Sequence, residues 1–188
     1  DRLGEELAPP TAGALLLVES DGTEAAVDDE IDRVAQACRG VGAMQVSRAR
    51  DEAERERFWN ARRLISLALR ATGLLKINHD VVVPRGRIPE LFGVIGELRE
   101  QYRLTIAAFG HAGDGNIHVN LMVNRADASE RARAKEAERL LFERVVALEG
   151  SISGEHGIGF AKAPYIGLEL SPEEIALMKR VKTAFDPN

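Results

Sequence analysis

The sequence predicts an α+β fold of the ferredoxin-like kind, with helices packed on one face of a mainly antiparallel sheet. Three observations lead there. Short apolar runs alternate with helical stretches along the chain, Gly and Pro close most segments, and an Asp-Gly pair sits between two strand-like runs as in a hairpin.

After a polar, Pro-containing lead from Glu5 to Thr11, Ala14 to Glu19 reads as a buried strand closed by Ser20-Asp21-Gly22. Ala25 to Cys38 has helical spacing and ends at Gly40 and Gly42, and Met44 to Ser47 reads as a second strand, giving a β-α-β unit. Asp51 to Thr72 is a long, charge-laced helix with an acidic start and a stop at Gly73. Leu74 to Val83 alternates as a strand does and is stopped by Pro84. Ile88 to Tyr102 is helical, Leu104 to Phe109 and Asn116 to Val123 are strands around a Gly-rich turn, and Ala128 to Leu148 is another long helix. Ser151 to Ser153 reads as a short strand, and Ser171-Pro172-Glu173-Glu174 as a capped helix start with Pro at its first position.

Gly110-His111-Ala112-Gly113-Asp114-Gly115-Asn116-Ile117-His118-Val119-Asn120 carries the sharpest chemical signal. Asp-Gly favours a two-residue type I′ turn, because both central positions need positive φ. A turn at Asp114-Gly115 sets His111 opposite His118. Directly opposed Cβ atoms stand about 4.5–5.5 Å apart, close enough for two imidazoles to share one ion. Ile117, Val119 and Leu121 then point to the core, while His118 and Asn120 point the other way. A surface hairpin with two incidental histidines is the plain alternative.

Ser153-Gly154-Glu155-His156-Gly157-Ile158-Gly159 places a carboxylate beside an imidazole between glycines. Glu155 offers a third hard ligand, and two His with one carboxylate leave positions open for substrate or water, as catalytic Zn, Fe or Mn sites do. His156 is placed to act as general base. The glycines lack the spacing and the strand-to-helix setting of a dinucleotide fingerprint. A flexible loop with an exposed Glu and His is the alternative here.

Residues 59, 62, 63 and 66 share one side of the helix around Phe58-Trp59-Asn60-Ala61-Arg62-Arg63-Leu64-Ile65-Ser66. Arg62 on such a face can clamp a carboxylate, with the Ser66 hydroxyl one turn on, although arginines in this setting are more often solvated. Lys76, Asn78 and Asp80 share one strand face and His79 takes the other; a simple exposed face explains the polar strip equally well.

Bulk composition narrows the classes. With 188 residues, 45% hydrophobic and 29% charged, the chain can bury a core. A formal charge of -5 argues against nucleic acid as a partner. Cys38, the sole cysteine, permits neither an internal disulfide nor a cysteine cage. No apolar run approaches the roughly 20 residues of a membrane span, and cytoplasmic residence fits. The start at Asp1 without Met, and the stop after Phe185-Asp186-Pro187-Asn188, both read as cuts.

Taken together, these motifs resemble the C-terminal domain of FAD-linked oxidases, in the vanillyl-alcohol oxidase and para-cresol methylhydroxylase superfamily. The branch most similar holds D-lactate dehydrogenases, D-2-hydroxyglutarate dehydrogenases and the flavin subunit of glycolate oxidase. The likeness runs from Leu15-Leu16-Leu17-Val18-Glu19 through Asp51-Glu52-Ala53-Glu54-Arg55 to Phe185-Asp186-Pro187, and its specific signatures are the histidine hairpin and Gly154-Glu155-His156-Gly157-Ile158-Gly159. It implies that residues 1–188 form the substrate-side domain, and that FAD sits mainly in an N-terminal domain outside this chain. The implied ligands of a divalent metal (Zn, Mn or Fe) are His111, His118 and Glu155, and the implied base beside the flavin is His156. Arg62, Ser66 and Asn120 match positions that hold substrate oxygens. The chain departs from the pattern at Asn78, where relatives commonly carry Lys two residues before the strand's Asp; Lys76 is a candidate substitute.

The expected activity is oxidation of a small D-2-hydroxyacid of lactate, glycolate or 2-hydroxyglutarate type by hydride transfer to FAD, with electrons passed to an acceptor the sequence does not identify. The parent is expected in the cytoplasm or peripherally at the inner face of the membrane. A metal-dependent hydrolase using the same His/His/Glu set, or a non-catalytic binding domain, are the rival readings.

Overall fold

The computed structural model describes residues 11–187, and the chain divides into two compact units, Asp1–Leu69 and Arg70–Asn188. The expected polar lead around Glu5 lies almost wholly outside the described residues.

In the first unit, α1 spans Glu24–Gly40, and α2, which begins there, spans Glu52–Ala71. Asp51 caps α2 by accepting from the Glu54 amide at 2.9 Å, and Gly73, at φ 74°, follows its end. Arg55 pairs with Glu52 at 2.6 Å and Arg63 with Glu56 at 2.7 Å, so the predicted charge lacing is present. The two strands expected at Ala14 to Glu19 and Met44 to Ser47 do not form, and with them goes the β-α-β unit: both segments lack regular secondary structure. An apolar run becomes a strand only where a neighbour supplies ladder hydrogen bonds and a covering face. Leu15 and Leu16 remain 62% and 63% exposed, and Met44 is exposed as well.

The second unit holds the sheet. Strands β1 (Leu75–Val82), β2 (Thr105–His111) and β3 (Asn116–Val123) lie in the order β1-β3-β2, antiparallel throughout. Helices α3 (Ile88–Tyr102) and α4 (Ala128–Ala147) pack against each other and against β2 and β3. The α+β class is therefore realised as an antiparallel sheet with helices on its apolar face. Leu91, Ile95 and Leu98 of α3, and Ala134, Ala137, Leu141, Phe142 and Val145 of α4, recur at helical spacing and meet Val81, Ile106, Ile117, Val119 and Leu121 of the sheet. The short strand expected at Ser151 to Ser153 is reduced to one bridge, Val82 to Ser151.

Beyond the bridge come a four-residue helix α5 (Gly159–Lys162), a 3-10 turn (Ala163–Leu168) and α6 (Pro172–Phe185). Ser171 and Glu174 form the predicted capping box, the Ser171 amide donating to Glu174 Oε2 at 2.7 Å. Among the described residues, no helix is long and apolar enough to cross a membrane.

Candidate functional site

Strand alternation divides the sheet chemically. One face carries the aliphatic residues of the core; the other carries Lys76, Asn78 and Asp80 on β1, Phe109 and His111 on β2, and Asn116, His118 and Asn120 on β3. None of the β1 residues is exposed, so the plain exposed-strand reading of that strip fails. Asn78 donates to Asn120 Oδ1 at 2.8 Å, and the Asn120 amide donates to the carbonyls of Ala107 and His118 at 3.1 and 3.0 Å. Asn120 is fully buried with its amide held at both ends. Lys76 Nζ stands 5.8 Å above the Phe109 ring.

The hairpin differs from its prediction in register. His111 pairs with Asn116 and Phe109 with His118, leaving a four-residue loop from Ala112 to Gly115 in place of the two-residue turn. The loop closes with the Asp114 amide donating to the His111 carbonyl at 3.1 Å. Gly115 takes φ 75°, and a Cβ there would lie 2.1 Å from the Val83 carbonyl oxygen, so the chain just past β1 runs too close for any side chain. Because the slip moves the pairing by two positions, His111 and His118 keep the same face and become diagonal neighbours. Their ring centroids are 6.0 Å apart.

The loop from Ser153 to Gly159 brings the remaining groups. Gly154 is seated against Asn116, with the ideal Cβ position only 2.6 Å from Asn116 Oδ1. Glu155 Oε1 lies 3.5 Å from His118 Nε2 and 3.7 Å from His156 Nε2. His156 stacks on His118, with centroids 5.5 Å apart and planes 25° apart. One ligand atom from each of His111, His118 and Glu155 can be chosen so that all lie within 4.8 Å of one another. His118 is 7% exposed; burial pushes its pKa below the ordinary imidazole value, His156 and His111 push the same way, and the Glu155 and Asp80 carboxylates only partly oppose them. A neutral imidazole is the form that binds a cation, so the donor set fits one.

Two features carry no local sequence signal, the anchoring role of Asp80 on the polar strip and its pairing with Lys162. Asp80 is fully buried and accepts from the Glu155 amide at 2.6 Å and the His156 amide at 2.8 Å. Burial disfavours its charge, yet the hydrogen bond from Lys162 and those two amides outweigh burial and hold its carboxyl well below the usual range. Lys162, also buried, carried no sequence signal beyond being a lysine in an apolar stretch. On the opposite face His79 is buried in the core, edge-on to Phe142 at 5.0 Å and with Nε2 3.1 Å from Glu138 Oε1. It takes no part in the site.

Arg62 and Ser66 belong to the first unit. They stand one turn apart on α2. Of the four positions predicted to share one side, three (Trp59, Arg62 and Ser66) are half-buried and Arg63 is exposed.

The family model described as FAD linked oxidases, C-terminal domain, matches residues 2–188. The chain is 36% identical over 179 residues to the glycolate oxidase subunit GlcD of Bacillus subtilis, covering 95% of this chain and 38% of that protein. It is 33% identical over 189 residues to the D-lactate dehydrogenase of Anaerostipes hadrus, covering 98% and 39%. With the D-2-hydroxyglutarate dehydrogenase of Stutzerimonas stutzeri it shares 34% identity over 148 residues, covering 74% and 31%. The chain thus spans between 31% and 39% of the length of these relatives.

Proposed function

Since the chain belongs to the C-terminal domain family of FAD-linked oxidases, we propose that it is the substrate-side domain of an enzyme that oxidises a small D-2-hydroxyacid to the 2-oxoacid. The single observation that carries the reading is the convergence of His111, His118 and Glu155 on one point, with His156 stacked beside them. Relatives named for glycolate, D-lactate and D-2-hydroxyglutarate support the substrate class. The FAD domain and the electron acceptor lie outside these 188 residues in this proposal, in keeping with the share of the relatives that the chain spans.

Bound FAD supplies the two-electron acceptor, and a divalent cation supplies positive charge that lowers the pKa of a nearby hydroxyl. The chain's own residues do the rest. His111, His118 and Glu155 hold the cation. Asn120, fixed by its own hydrogen bonds, sets the polar floor of the site, and the family resemblance alone assigns Arg62 and Ser66 to the substrate carboxylate. His156 takes the hydroxyl proton as the Cα hydride leaves and the C–O bond becomes C=O.

The test is anaerobic bleaching of flavin absorbance in the full-length protein by glycolate, D-lactate and D-2-hydroxyglutarate. At least one acid should bleach the wild-type flavin, and His156→Ala should slow that bleaching by about 10²–10⁴-fold, the usual contribution of a general base. Undiminished bleaching in His156→Ala removes the proposed base; no bleaching by any 2-hydroxyacid removes the activity.

A further inference from the structure

Behind the proposed ligands lies a buried ion pair that the reaction does not call for directly. Asp80 and Lys162 are 0% and 4% exposed. Charges taken so far out of water are tolerated only where hydrogen bonds satisfy both of them. Here they do. Lys162 Nζ donates to Asp80 Oδ1 and, at 2.9 Å, to the Asp80 carbonyl. Asp80 Oδ2 accepts from the Glu155 and His156 amides at 2.6 and 2.8 Å, and the Asp80 carbonyl accepts from the Gly154 amide at 3.2 Å.

Three consecutive amides of the loop are thereby tied to one strand residue. That residue pairs with His118 across the β1/β3 ladder, and its Oδ1 lies 3.6 Å from His156 Nδ1. The position of the loop relative to the hairpin is therefore set through Asp80. Groups behind metal ligands fix their orientation, and losing one typically weakens metal affinity about 10–100-fold.

We propose that Asp80 and Lys162 are positioning residues of this site: Asp80 fixes Glu155 and His156 relative to His118, and Lys162 holds Asp80 in the rotamer that does so. This rests on the reading of His111, His118 and Glu155 as cation ligands.

Zn²⁺ binding to the full-length protein, measured by competition with a chromophoric chelator, tests it through a double-mutant cycle. Lys162→Met should weaken zinc binding about 10–100-fold. In a Glu155→Gln background the same substitution should cost less than about threefold, because the residue it positions has already lost its charge. General structural damage would weaken both backgrounds equally. The paired substitution Asp80→Asn with Lys162→Met leaves no charge buried alone; it keeps the test decisive should Lys162→Met fail to fold, and it should weaken zinc binding about tenfold. Equal losses in both backgrounds, or unchanged affinity in a folded Lys162→Met or paired variant, overturn the positioning role while leaving the ligand set standing. Parent protein that binds no zinc, or a Glu155→Gln variant with parental affinity, overturns the ligand set itself and the positioning role with it.

Discussion

Gly154→Ala should weaken cation binding without touching a ligand. A Cβ at this position would lie 2.6 Å from Asn116 Oδ1, 2.9 Å from its Cγ and 3.1 Å from its Nδ2, where ordinary contact begins at 3.4 Å. Reaching that contact from 2.6 Å requires 0.8 Å of movement (3.4 − 2.6). Asn116 is buried on the central strand, so the loop yields more readily, and Glu155 is the next residue along it. Overpacking of this kind costs about 1–3 kcal/mol. If that strain appears in the bound state, zinc affinity falls by roughly 5- to 150-fold, at about 1.4 kcal/mol per decade. Isothermal titration with Zn²⁺ reads the loss. Asn116 Oδ1 is buried with no hydrogen-bond partner among the described residues, so adding Asn116→Ala opens the space without breaking a bond to that atom and should recover most of the affinity. Parental affinity in Gly154→Ala, or no recovery in the double variant, refutes the reasoning.

Other consequences follow from the core and from the first unit. Phe142, fully buried and ringed by His79 and Tyr165, should cost about 3–5 kcal/mol when replaced by Ala, read by urea unfolding; a loss below about 1 kcal/mol would place it outside the core. Burial, and the hydrogen bond its hydroxyl donates to Glu138 at 2.9 Å, push the Tyr165 pKa from 10.0 up to about 12. The folded state thus binds the phenolic proton more tightly than the unfolded chain. Its contribution is fully present below pH 10 and is lost as pH rises through about 12; Tyr165→Phe should flatten that part of the stability profile, and an unchanged slope would assign it elsewhere. Arg62→Ala should lower kcat/KM for the 2-hydroxyacid about 10- to 100-fold, the worth of a hydrogen bond to a charged group, with metal content unchanged. A loss of metal would give Arg62 a different role.

How much of this was legible in the sequence depended on how local the cause was. Ile88–Tyr102 and Asn116–Val123 match their predicted bounds, because strong periodicity and clear stops lie within each segment. The hairpin's turn departs from the expected type: Asp114-Gly115 is a strong turn signal, but the approach of Val83 to Gly115 comes from a segment far away in sequence, just past β1. The histidines survived the error because a two-residue slip preserves the face of every side chain. Ala14 to Glu19 failed for the converse reason, since an apolar run says nothing about whether a partner strand exists. Lys162 and Asp80 are 82 residues apart, with no local pattern linking them. Only the folded sheet and loop bring them together.

Metal content of the purified full-length protein, set beside His111→Ala, His118→Ala and Glu155→Gln, tests the central claim most directly. After loading with Zn²⁺ or Mn²⁺ and desalting, the parent should retain about one ion per chain, and each variant should lose most of it. A parent that retains none, or three variants that retain as much as the parent, would contradict the account.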